Sequence, residues 1–212
     1  MTKKLTVLTI LAVLIVSVVG GVFYVNAQAV TGTTYDERPI GLNNPIKGSP
    51  AAPITVTEFG DFMCPACYTF QSDIMPELEP YIERGQVQFQ WVNLMLFGQE
   101  SLLAGYASRS VYDQAPETYW DVHEALFQTI HHSQEPLTEE RLSALIESME
   151  TIDTETFEDD LSNQRLFGDL EQDALLAETF AIDRTPTVFV NNRKIDDPFD
   201  VNQLIKAIEH EL

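Results

Sequence analysis

Glu58-Phe59-Gly60-Asp61-Phe62-Met63-Cys64-Pro65-Ala66-Cys67 holds the only two cysteines of a 212-residue chain, at the join between a β-like run and a helical one. A bridge between residues three apart closes so short a loop that it adds little stability. The spacing suits electron exchange instead: one thiolate attacks a foreign disulfide and its neighbour resolves the mixed disulfide. Pro65 fits the first helical position, where its fixed φ helps and its missing N–H is not needed. Beyond it, Phe70, Ile74, Leu78 and Ile82 recur at every fourth residue as an apolar stripe, and Pro76 is expected to kink that helix near its middle. Cys64 then stands at the helix N-terminus, where free amides and the dipole favour a thiolate. Cys67 follows one turn later on the same face. Cys64 is the expected nucleophile and Cys67 the resolving thiol.

Outward from this segment, 54–59 and 87–92 read as short strands, the second with Val87, Phe89 and Trp91 alternating. From about 99 to 182 the periodicity is helical, with one stripe at Leu142, Leu145, Ile146 and Met149 and another at Phe167, Leu170, Ala174 and Ala177. Residues 187–190, an Asn191-Asn192 turn and 193–195 predict a hairpin. Val201, Leu204, Ile205 and Ile208 mark a closing helix, with Asp200 and Gln203 placed like a capping box. The expected fold is α/β, a sheet interrupted by a helical insertion.

These residues resemble thioredoxin-fold proteins of the DsbA type. The likeness rests on the ten residues quoted, the helical block, and Thr185-Pro186 ahead of the hairpin, and it spans roughly 45–212. The implied architecture is a thioredoxin fold with the insertion, about 99–182, between its βαβ and ββα halves. The resemblance implies a disulfide between Cys64 and Cys67 that is donated to cysteine-containing exported proteins, with no cofactor. It also implies a membrane-bound redox partner of the DsbB kind that restores the disulfide. Glu58, six residues before the nucleophile, matches the family's buried acid that shuttles the resolving thiol's proton; burial raises a carboxyl's pKa into a useful range. Thr185-Pro186 matches the cis-proline loop, whose backbone pairs with an extended substrate. Pro65 and Ala66, between the cysteines, complete the substrate-facing set, although Pro-Ala departs from the His-containing pair of the family's best-known oxidant. The bland alternatives are a solvated strand-end glutamate and an ordinary trans proline. Asp61 reads either as a loop cap or as a charge that tunes the thiols. Trp91, Trp120 and Phe127 read as core, although an aromatic side chain can also line a peptide groove.

Acidic residues outnumber basic ones 33 to 12, a formal charge of −21, so nucleic acid is not an expected partner. The surplus suits a solvated exterior. Lys3 and Lys4 precede an apolar run at 5–25, interrupted by Gly20-Gly21 and followed by Ala27-Gln28-Ala29. Residues 1–29 are therefore expected to be either a cleaved signal peptide or a membrane anchor, with the rest facing outward. Residues 30–50 read as a linker and 51–212 as one domain, expected to act as a monomer. His131-His132 fits no zinc spacing and no metal is expected. Three other functions remain open: a reductase or isomerase kept reduced by a membrane donor, a specialist serving one client such as a cytochrome maturation system, and a Cu(I) binder using Met63, Cys64 and Cys67. The last leaves Glu58 and Thr185-Pro186 without a purpose.

Overall fold

The computed structural model describes residues 31–149 and 151–212, and the folded unit runs Gly32–Leu212. The expected signal or anchor at 1–29 lies outside the described residues. No helix among the described residues is long and apolar enough to cross a membrane.

At the centre, β3 (Ile54–Gly60) and β4 (Val87–Asn93) pair in parallel, from Ile54 opposite Val87 to Gly60 opposite Asn93. Every residue of β3 is buried, as expected for a strand covered on both faces. On its other side β3 meets β5 (Thr187–Val190) antiparallel, with Glu58 opposite Val188. The hairpin continues into β6 (Arg193–Lys194) through Asn191, whose left-handed φ of 54° is one that asparagine tolerates. The short strands β1 (Thr33–Thr34) and β2 (Ile46–Lys47) complete a six-stranded sheet in the order β1-β6-β5-β3-β4-β2. Gly60 ends β3 against the Trp91 ring, where a Cβ would come within 2.1 Å of the indole.

The helix after β3 is built in three parts: α1 (Pro65–Thr69), a π-helical segment (Phe70–Ile74) and α2 (Met75–Glu83). Phe70, Ile74, Leu78 and Ile82 are all buried. In a regular α-helix a strict four-residue repeat drifts by about 40° per step. The wider π turn absorbs part of that drift. The expected mid-helix break is therefore this π segment, closed by the Met75 amide on the Phe70 carbonyl. Pro76 falls in the first turn of α2, where no amide is needed.

Between the two halves of the sheet lie α3 (Gln99–Gln114), α4 (Tyr119–His131), α5 (Glu139–Glu147), α6 (Thr154–Asn163) and α7 (Phe167–Thr179). The closing helix α8 (Val201–Glu211) is capped by the Asp200 carboxylate on the Gln203 amide. The Gln203 side chain accepts instead from the Asp197 amide, so the reciprocal half of the expected capping box is redirected.

Two readings are corrected. In α7 the buried positions are Leu170, Asp173 and Ala177, while Phe167 and Ala174 are exposed. An apolar-periodicity reading passes over Asp173 because its burial depends on a cation 64 residues away. The Arg109 guanidinium donates to Asp173 Oδ2 at 2.6 Å and to the Asn43 carbonyl at 2.5 Å. Asn44 donates to Asp173 Oδ1 at 2.6 Å and to the Trp91 carbonyl at 2.9 Å, and the Asn93 amide reaches Asp173 Oδ2 at 3.0 Å. The same network corrects the linker reading of 30–50. That stretch contributes β1 and β2, two-residue strands too short to show alternation, and is pinned through Asn43 and Asn44 to β4, α3 and α7.

Both charges of the Arg109–Asp173 pair are buried, with side-chain exposures of 3% and 1%. Removing one partner leaves the other desolvated and alone, so Arg109→Ala should destabilise the fold by about 3–5 kcal/mol. Urea unfolding is the measurement; a loss below about 1 kcal/mol would show that the network does not hold the 43–46 segment in place.

Candidate active site

Cys64 is the N-cap residue of α1, with extended backbone (φ −80°, ψ 116°), and Pro65 opens the helix behind it. The Cys64 amide is bound by the Asp61 carbonyl at 3.0 Å. Both thiols are free and buried, Cys64 with 4% of its surface exposed and Cys67 with none. Their acidities diverge strongly. Cys64 is lowered from 9.0 to about 5, chiefly by the hydrogen bond its thiolate receives from the Cys67 thiol; burial opposes this. The Thr185 side chain and the helix amides of Cys67 and Ala66 add smaller contributions. The helix terminus, expected to be the main stabiliser, is thus secondary to the neighbouring S–H. Cys67 moves far the other way, raised first by burial and then by its hydrogen bond to Cys64, with any charge on Glu58 or Cys64 adding to both.

Glu58 sits in β3 with no exposed surface. Burial pushes its pKa well above the usual carboxylate range, opposed chiefly by the Gln71 amide, which donates to Oε2 at 2.7 Å, and to a smaller degree by the neighbouring Cys67. An acid that holds its proton beside a thiol that resists losing one can trade that proton with it. Asp61 proves to be more than a loop cap. Its Oδ1 accepts the Met63 amide at 2.9 Å and its Oδ2 the Leu96 amide at 2.8 Å. The buried carboxylate therefore ties the cysteine turn to the loop after β4.

The Thr185–Pro186 peptide is cis, and the Thr185 carbonyl accepts the Cys64 thiol at 3.6 Å. The structure thus brings Cys64, Cys67, Glu58, Thr185, Pro65 and Ala66 into one neighbourhood, with Pro186 next to the residue that touches Cys64. Phe62, Trp91, Phe127 and His123 back the cysteines with ring centroids 4.7–5.8 Å apart. Burial lowers the His123 pKa to about 3, so this imidazole stays neutral. Trp120 is only partly buried and donates to the Ile46 carbonyl at 3.0 Å. His131 pairs with the Phe62 carbonyl at 2.8 Å and His132 with the Tyr68 hydroxyl at 2.7 Å, so each histidine has a local structural partner. Gln71 is the site residue that sequence reasoning missed. Its signal was position: four residues after Cys67, on the same helical face.

A dithiol with divided acidities at a helix start, an acid beneath it and a cis-proline loop across it define a thiol:disulfide oxidoreductase on a thioredoxin fold. The chain belongs to the thioredoxin family, whose model, described as Thioredoxin, matches residues 42–210. It is 37% identical over 177 residues to disulfide bond formation protein D of Bacillus subtilis, covering 82% of this chain and 80% of that protein. The crystal structure of oxidised BdbD from Bacillus subtilis superposes with a TM-score of 0.79 at 35% identity, covering 85% of this chain and 97% of that one. The thiol:disulfide interchange protein DsbA of Pseudomonas aeruginosa is 26% identical over 161 residues, 76% of this chain and 74% of its own length.

If the Cys67 thiol is the main stabiliser, Cys67→Ala should raise the Cys64 midpoint by about one to two pH units, the worth of one hydrogen bond to a charge. Thiolate absorbance followed against pH reads this directly, and a midpoint still at about 5 in the variant would return the credit to the helix amides. The same shift links redox state to stability. Between about 5 and 9.0 the unfolded Cys64 binds a proton that the folded one has lost, so the reduced protein gains stability as pH rises through this window. The gain is complete above the unfolded value and is lost as pH falls through about 5. Urea unfolding of both redox forms across pH 5–8 should show the reduced form gaining on the oxidised one, about 1.4 kcal/mol per pH unit at most; parallel curves would contradict the lowered Cys64.

Proposed function

We propose that this chain is an extracytoplasmic oxidase of protein thiols, which donates its Cys64–Cys67 disulfide to cysteine pairs of exported proteins. The observation that carries the reading is the division of acidity between the two sulfurs. A low Cys64 pKa stabilises the reduced enzyme and makes its disulfide a stronger oxidant. In the forward reaction a client thiolate attacks Cys64, the sulfur–sulfur bond breaks, and Cys67 leaves and takes a proton from Glu58. A second client thiolate then attacks the client sulfur of the mixed disulfide and releases Cys64 as a thiolate. Two electrons pass to the enzyme and the client gains its disulfide.

Thr185 and Pro186 form the loop on which the extended client lies, and Pro65 and Ala66 present the surface between the cysteines. The relatives named disulfide bond formation protein D support the oxidative direction. The charged start and apolar run at 5–25 support an extracytoplasmic place, reached by cleavage near Ala29 or held by that run as an anchor. A membrane-bound redox partner of the DsbB kind takes the two electrons onward. The protein acts as a monomer and needs no cofactor of its own.

Two measurements test this. Cys67→Ala, expressed with its export segment, should accumulate mixed disulfides with exported proteins, and Cys64→Ala should accumulate none. Equilibrated against glutathione, the Cys64–Cys67 couple should lie above about −200 mV. A value near the −270 mV or so of cytosolic thioredoxin would reverse the direction of electron flow.

A further inference from the structure

Glu58 has no exposed surface, and its two oxygens are treated differently. Oε2 accepts the Gln71 amide at 2.7 Å, whereas Oε1 is buried without a hydrogen-bond partner. Gln71 belongs to the π-helical segment and is half-buried. It also lines a cavity of about 350 Å³ between that segment and α4, together with Met75, Trp120, His123 and Phe127. A cavity of this size has room for several waters, each occupying about 30 Å³ in the liquid. Gln71 thus spans a sealed carboxyl on one side and a space large enough for solvent on the other.

We propose that Gln71 is a positioning residue for disulfide exchange: it fixes Glu58 by Oε2, so that Oε1 is the oxygen that takes and returns the proton of Cys67. This rests on the proton-shuttle role given to Glu58 above. The consequence is clearest in the reverse half-reaction with oxidised glutathione. The Cys64 thiolate attacks one sulfur of the glutathione disulfide and expels a glutathione thiolate. The Cys67 S–H bond then breaks, its proton passes to ionised Glu58, and its sulfur attacks Cys64. The mixed disulfide opens and a second glutathione thiolate leaves with the electron pair. The protein loses two electrons and glutathione disulfide gains them; the proton on Glu58 is then released to water. An amide donating to Oε2 favours the ionised acid that this closure needs.

The experiment is the pH dependence of ring closure in the pre-formed Cys64–glutathione mixed disulfide, followed by stopped flow in the full folded chain and in Glu58→Gln, Gln71→Met and Gln71→Glu. Glu58→Gln should abolish an inflection in the wild-type profile. Gln71→Met should move that inflection upward by about one pH unit, slowing closure about tenfold below it, the worth of one donor lost from a buried charge. Gln71→Glu should move it at least as far, since a second acid disfavours ionisation of the first. The Cys64 thiolate midpoint should stay in place in Gln71→Met, which separates this role from general loosening of the site. If Glu58→Gln leaves the profile intact, the shuttle reading fails and this inference fails with it. If Glu58→Gln abolishes the inflection but either Gln71 variant leaves it at the wild-type pH, only the role of Gln71 is overturned. An inflection that moves together with the Cys64 midpoint overturns it as well.

Discussion

The structure turns on two sulfurs one helical turn apart that share a single proton unequally. Cys64 gives its proton up easily because Cys67 keeps one and points it at the resulting charge. Cys67 keeps its proton because it is fully buried and hydrogen-bonded to the Cys64 sulfur, with the Glu58 carboxyl close by. Each acidity is therefore partly produced by the other, and the pair titrates as a unit. The fold supplies the inequality. α1 places Cys64 at its cap and Cys67 inside its first turn, while β3 brings Glu58 in from below. Without that difference in surroundings, the same four-residue motif would be two ordinary thiols.

Around this pair the protein builds restraint through polar groups that are themselves buried. Asp61 binds two amides from segments 33 residues apart in sequence, so the cysteine turn cannot shift without the loop after β4. Arg109 and Asp173 do the same at greater distance, tying the insertion to the sheet and to the segment leading into β2. Neutral aromatic groups fill the space between, including a histidine that burial keeps uncharged. Such a wall supplies no positive charge of its own, so the lowered pKa of Cys64 rests chiefly on the Cys67 thiol.

The parts of this design that were legible in sequence are those written in neighbouring residues. The cysteine spacing, Pro65 behind Cys64, the alternating apolar residues of β4 and the asparagine turn of the hairpin each follow from local stereochemistry. What escaped notice depends on partners far along the chain. Asp173 looks like an ordinary polar position until Arg109 is placed opposite it, and β1 and β2 are too short to carry a pattern. Gln71 was hidden for a different reason: its face of the helix was predictable, but its partner, an acid one strand below, was not. The capping role of Asp61 is local and legible, and it holds for Met63, whereas its second amide lies 35 residues downstream.

The π turn after the active-site helix start has a consequence for how the sequence can change length. The extra residue in the loop of that turn is taken up without turning the stretch carrying the sulfurs against the stretch anchoring the sheet. A turn closed by i→i+5 hydrogen bonds holds one residue more than an α turn over nearly the same rotation, so deleting one residue from 70–74 would restore an ordinary spiral and leave the stretches on either side facing nearly as before. A one-residue change of length is therefore absorbed in this span more easily than elsewhere in the helix, where it would turn one part against the other by about 100°.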